Sequence, residues 1–81
     1  MNVALHEIRM PDLGDVAKAV VVQWLQPVGA QVQEGDDLLE VETEKTTFVI
    51  PAPLSGCLTR IYSPETTGVS TGDALGAIEP A

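Results

Sequence analysis

Lys45 is the residue of this 81-residue chain whose surroundings invite chemistry. It lies in Glu42-Thr43-Glu44-Lys45-Thr46-Thr47, between two runs rich in β-branched and apolar residues, 38–43 before it and 46–50 after it. Two such runs of similar length around a short polar segment predict a β-hairpin with the lysine at its tip. A lysine that forms Schiff bases needs an apolar pocket to destabilise its charge. The flanks here are polar, Glu44 above all, and no such pocket is suggested. An exposed tip lysine is badly placed to catalyse and well placed to be modified by another enzyme.

The acidic residues beside it admit two further chemistries. Glu40, Glu42 and Glu44 alternate, so they share one face of a strand while Leu39, Val41 and Thr43 share the other. Such carboxylates could ligate a metal or act as an acid–base pair. No histidine supports them, and a solvated strand face is the expectation. The lone His6 is expected to be structural or at the surface. Cys57 has no partner for an internal disulfide and is expected to be a small buried hydrophobe. Trp24 is expected in the core, and the glycines serve turns without forming a phosphate-binding pattern.

The elements that must position Lys45 read as short strands. Residues 3–10 alternate loosely and stop at Pro11, and 11–15 (Pro-Asp-Leu-Gly-Asp) are turn chemistry. Residues 16–25 read as a strand, because Val20-Val21-Val22 and the following Pro27 oppose the helix that Ala17 and Ala19 would favour. Short extended pieces follow at 31–33, 38–43, 46–50, 57–62, 69–70 and 74–78, separated by Gly-, Pro- and Asp-containing turns. Pro51 and Pro53 would interrupt a ladder, which suits an edge strand or a strand end. The pattern predicts an all-β sandwich or barrel.

An internal repeat sharpens this. A shift of 37 lays residues 19–42 on 56–79, with six of 24 pairs identical: Pro27/Pro64, Val32/Val69, Gly35/Gly72, Asp36/Asp73, Leu38/Leu75 and Glu42/Glu79. The matches fall on turns and on inward strand positions. They predict two halves related by a pseudo-two-fold axis, with the chain termini at the end of the domain opposite Lys45.

Composition bounds the partners. Twelve acidic residues against four basic ones give a net charge of −8, which disfavours nucleic acid and anionic membranes and favours a partner with a basic patch. No run approaches the length of a membrane span, and the first ten residues lack the apolar core of a signal peptide. A cytoplasmic or mitochondrial-matrix location is expected.

Taken together, Glu42-Thr43-Glu44-Lys45, Pro51-Ala52-Pro53, Ser55-Gly56 and residues 35–41 (Gly-Asp-Asp-Leu-Leu-Glu-Val) resemble the lipoyl domain of the acyltransferase components of 2-oxo acid (or acetoin) dehydrogenase complexes. Met10-Pro11-Asp12-Leu13-Gly14 resembles that family's opening segment and Gly72-Asp73-Ala74-Leu75 its closing one. The resemblance covers nearly the whole chain. It implies a flattened β-barrel of two four-stranded antiparallel sheets, with residues 1–79 forming the domain and 80–81 opening a Pro/Ala-rich linker to a larger acyltransferase. It implies lipoic acid in amide linkage to Lys45, attached by a lipoyl ligase. It implies a monomeric carrier rather than an enzyme, serving a thiamine-diphosphate-dependent decarboxylase, the acyltransferase domain of the parent chain and dihydrolipoyl dehydrogenase. By the same resemblance, Asp12, Leu13 and Asp15 are candidate recognition residues in a loop near the lysine. Two residues depart from the family pattern: Glu44 stands where Asp is usual, and Thr46 where Ala is usual. Biotinyl domains are similar but place Met on both sides of the lysine, so Glu44 and Thr46 favour lipoate. An unmodified acidic β-sandwich that binds a basic partner is the alternative from another class.

Overall fold

The computed structural model describes residues 4–12, 14 and 18–81. Among these are eight strands: β1 (His6–Arg9), β2 (Lys18–Trp24), β3 (Gln31–Val32), β4 (Asp37–Glu42), β5 (Thr47–Pro51), β6 (Gly56–Ile61), β7 (Gly68–Ser70) and β8 (Ala74–Pro80). They form two four-stranded antiparallel sheets, in the orders β1-β8-β6-β3 and β5-β4-β2-β7. The second segment is therefore a strand, as its β-branched run requires. Residues 16 and 17 of the expected strand lie outside the described part. β8 continues past the expected end, through Pro80, which pairs with Gly56.

The sheets meet through one core. Val21, Leu39, Val41 and Ile50 come from one sheet, and Ile8, Leu58, Leu75 and Ile78 from the other. Aliphatic side chains supply nearly all of it; burying each one fully contributes about 1.5–3 kcal/mol. Trp24 is half-buried against this core and donates from Nε1 to the carbonyl of Ser63 at 2.8 Å. Its ring edge is so close to Gly76 that an added Cβ there would lie 3.0 Å from it and 2.5 Å from the Arg60 carbonyl oxygen.

The repeat is a true pseudo-two-fold, and it extends to individual hydrogen bonds. In β2/β4 the pairs Val20↔Glu42, Val21↔Val41, Gln23↔Glu40 and Trp24↔Leu39 correspond in order to Cys57↔Glu79, Leu58↔Ile78, Arg60↔Ala77 and Ile61↔Gly76 in β6/β8. Each ladder shifts register at the same place, passing over Val22 in one and Thr59 in the other. The edge strands match too: Ile8 opposite Gly76 answers to Ile50 opposite Leu39. Gly29 N donates to Leu58 O at 2.7 Å, and Thr66 N donates to Val21 O at 2.8 Å. The axis maps the β4 end of the molecule onto the β8 end. The start of β1 lies beside the end of β8, through His6↔Ile78, so both described ends of the chain lie away from the β4–β5 hairpin along a body 42 Å long.

Cys57 corrects an expectation. It is half-buried rather than buried, because Leu58 takes the inward position and strict alternation leaves Cys57, like its mate Val20, on the outer face. His6 is exposed on β1. Pro51 ends β5 at the edge of its sheet, where a missing N–H interrupts nothing.

The two halves differ at one strained position. Gly29 has φ +99°, and its mate Thr66 has φ +70°, a conformation costly for a β-branched residue. Thr66→Gly is expected to raise stability by about 0.5–1 kcal/mol, the relief of strain exceeding the added chain entropy. Gly29→Thr is expected to lower it by a similar or larger amount. Urea unfolding of the two variants checks both signs.

Candidate functional site

The β4–β5 hairpin presents Lys45 at its tip, with Glu42, Glu44, Lys45, Thr46 and Thr47 all exposed. β4 is the stiff member. Leu38, Leu39 and Val41 have no exposed surface, and the strand is laddered on both sides, to β2 and to β5. β4 ends at Glu42, three residues before Lys45, and β5 begins at Thr47, two residues after it.

The turn itself is unusual for so short a loop. Two-residue hairpin loops normally use positive φ at their central residues, because negative φ splays the strands. Thr66 is the only non-glycine residue with positive φ among those described, so Glu44 and Lys45 both have negative φ. Thr43 makes this workable. Its N–H donates to Thr46 O at 2.8 Å, and its hydroxyl donates to the same oxygen at 2.9 Å. That hydroxyl also accepts from the N–H of Lys45 and of Thr46, each at 3.1 Å. Thr43 is 8% exposed, so its end of these four bonds is screened from water, while Lys45 and Thr46 are exposed. A threonine hydroxyl that bonds the backbone two and three residues on is the threonine turn motif. The alternation of β4 predicts the inward side chain of Thr43, but its role as the lock of the turn was not read from sequence. The signal was there, in a Thr two residues before the tip lysine.

Among the described residues the amine has no competing partner. The ion pair among the described residues joins Arg9 to Glu7, and Lys45 is in none. Lys45 lines none of three surface clefts, one beside β1 and Pro51, one between Lys18 and Val69, and one beside Cys57 and Pro80. The arrangement offers an exposed amine on a rigid support, with no walls among the described residues to enclose a substrate. It fits covalent attachment of a group that must then travel.

The other candidates separate. Glu40 is half-buried and accepts from Gln23 Nε2 at 2.6 Å, while Glu42 and Glu44 are exposed. No group of three His, Cys, Asp or Glu among the described residues could hold a metal ion. Asp12 is exposed and closes a local turn by accepting the Gly14 N–H at 2.9 Å, with Gly14 at φ +80°. Leu13 and Asp15 lie outside the described residues. The chain that follows them enters β2 at Lys18, two residues beyond the Val20↔Glu42 pair and so at the Glu44 end of the ladder.

Known proteins divide along the same lines. The Biotin_lipoyl family model, described as "Biotin-requiring enzyme", matches residues 6–78. The chain is 35% identical over 79 residues to the dihydrolipoyllysine-residue acetyltransferase component of the pyruvate dehydrogenase complex of Corynebacterium glutamicum, covering 96% of this chain and 12% of that protein. It is 39% identical over 74 residues to the dihydrolipoyllysine-residue succinyltransferase component of the 2-oxoglutarate dehydrogenase complex of Bartonella vinsonii subsp. berkhoffii, covering 90% of this chain and 18% of that protein. The chain thus spans less than a fifth of either relative. Among solved structures, the lipoyl domain of the 2-oxoglutarate dehydrogenase complex from Azotobacter vinelandii superposes with TM-score 0.73 at 25% identity, covering 96% of this chain and 100% of that one. A single-chain, multi-domain long-chain acyl-CoA carboxylase superposes with TM-score 0.80 at 25% identity, covering 95% of this chain and 7% of that one.

The lock can be tested directly. Thr43→Val keeps the shape and removes the hydroxyl, taking the acceptor from the Lys45 and Thr46 amides while the Thr46 carbonyl keeps the Thr43 N–H, and is expected to cost about 1–3 kcal/mol. Hydrogen exchange at the Lys45 and Thr46 amides is expected to rise by about tenfold or more in Thr43→Val and to stay near wild type in Thr43→Ser.

Proposed function

The chain belongs to the biotin- and lipoyl-attachment family and is a lipoyl-type carrier domain, not itself a catalyst; on that premise we propose that Lys45 bears lipoic acid through an amide at Nζ. The observation that carries the assignment to Lys45 is its place, exposed and with no ion pair among the described residues, on a turn locked by Thr43. Bound there, the dithiolane would supply a disulfide that takes up two electrons together with the acyl group of an acyl-carbanion equivalent, yields that acyl to a thiol, and re-forms when the dithiol gives two electrons to an oxidant.

The residues of this chain supply the presentation. β4 and β5 hold the attachment point still, while the lysine side chain adds rotatable bonds above it. Glu44 and Thr46 flank it with polar groups, where biotin attachment would call for methionines. Biotin is kept as the second reading by the family description and the fold match to a carboxylase chain.

The parent protein is proposed to be a dihydrolipoyl acyltransferase. Its domain would meet a thiamine-diphosphate-dependent decarboxylase, the acyltransferase centre and dihydrolipoyl dehydrogenase in turn. Tethering raises the effective concentration of the arm at each of these, so a mobile carrier replaces three diffusive encounters. Asp12, Leu13 and Asp15 are proposed as recognition residues on the family resemblance, and Lys18, which opens β2 three residues after Asp15, lies at the hairpin end of the ladder.

Treatment of the domain with lipoic acid and a lipoyl ligase is expected to add one lipoyl increment by intact-mass analysis and none to Lys45→Ala. Retention of the increment in Lys45→Ala would sink the assignment. Avidin capture after biotin-ligase treatment, without lipoylation, would favour biotin. Asp12→Ala is expected to leave lipoylation intact while slowing reductive acylation by the decarboxylase; equal acylation rates would remove Asp12 from the recognition surface.

A further inference from the structure

The pseudo-two-fold supplies an internal control for the outer faces of the two sheets. On the sheet that ends in Lys45, Val20, Val22 and Val49 are 44%, 40% and 46% exposed. The mates of Val20 and Val22 on the other sheet are Cys57 and Thr59; the mate of Val49, opposite Ala77 rather than Glu40, is Glu7. The fold accepts polar or less apolar residues at all three sites, so packing and strand geometry do not require the valines.

Their neighbours are acidic. Across the ladders Val20 lies opposite Glu42, and Val49 lies opposite Glu40. Glu40 is held on this face by Gln23 at 2.6 Å. The face therefore alternates valine with glutamate, in a domain of net charge −8, and it runs along the strand that ends at the hairpin tip. Apolar contacts supply affinity once dry, and the carboxylates steer and align a cationic rim.

We propose that the outer face bearing Val20, Val22 and Val49 with Glu40 and Glu42 docks the decarboxylase that acylates the arm, through an apolar patch on that enzyme bordered by Lys or Arg. This rests on Lys45 being the lipoyl site. A face along β4 and β5 is in rigid register with the tip, so docking on it fixes where the arm enters the partner's active site.

The test uses the lipoylated domain and the decarboxylating components of a pyruvate and a 2-oxoglutarate dehydrogenase complex. Val20→Thr/Val22→Thr/Val49→Thr keeps side-chain shape and β-propensity. It is expected to be lipoylated as fast as wild type and to raise KM for reductive acylation about fivefold or more with kcat unchanged, the mark of lost docking rather than lost chemistry. Wild-type KM is expected to rise with ionic strength. Thr59→Val on the opposite sheet is expected to change neither. A KM within about twofold of wild type in the triple variant overturns the proposal, as does failure of both enzymes to acylate the lipoylated wild type. A wild-type dimer in sedimentation that the triple variant dissolves would assign the face to a second copy instead. Failure of Lys45 to accept lipoate would be seen separately by mass and would strike the carrier reading itself.

Discussion

The burial of β4 is the constraint from which the rest follows. Leu38, Leu39 and Val41 are wholly enclosed, and the strand is hydrogen-bonded on both flanks. A strand so fixed cannot slip, because a one-residue slip would turn its apolar set to water. The hairpin beyond it therefore has one position, and Thr43 transmits that position to the tip through a buried hydroxyl with three partners. Lys45 inherits rigidity from below and freedom above. That is the division of labour a carrier needs: a fixed base that a ligase and a decarboxylase can recognise, and an arm that moves independently of it.

The same architecture explains why the second half exists. A hairpin with one apolar face is marginal alone. The repeat supplies a second sheet of nearly the same register, so the two faces cover each other and close a core from an 81-residue chain with three aromatic residues. The outer face of the second half is the more polar at the positions compared, so the two halves diverge in surface while converging in core.

Much of this was legible in the chain. The strands, the tip lysine and the repeat followed from β-branched runs, turn residues and the spacing of Gly35/Gly72 and Leu38/Leu75. What sequence did not reveal is instructive. The register shifts at Val22 and Thr59 leave no mark in composition, because a bulge is a property of two strands together. Cys57 was expected inside on the strength of its residue type, and the alternation set by Leu58 placed it on the outer face. The turn lock at Thr43 was hidden because the same alternation that predicts an inward side chain says nothing about what its hydroxyl will meet. The asymmetry of the valines became visible only when the two sheets could be laid on each other pair by pair.

Lys45 is proposed as the residue that carries the cofactor in the living cell. Peptide mapping by tandem mass spectrometry of the protein purified from its own cells tests it most directly. A lipoyl group on Lys45 and an unmodified Lys18 are the expected result. An unmodified Lys45, a biotinyl group on it, or a lipoyl group on Lys18 would contradict the account.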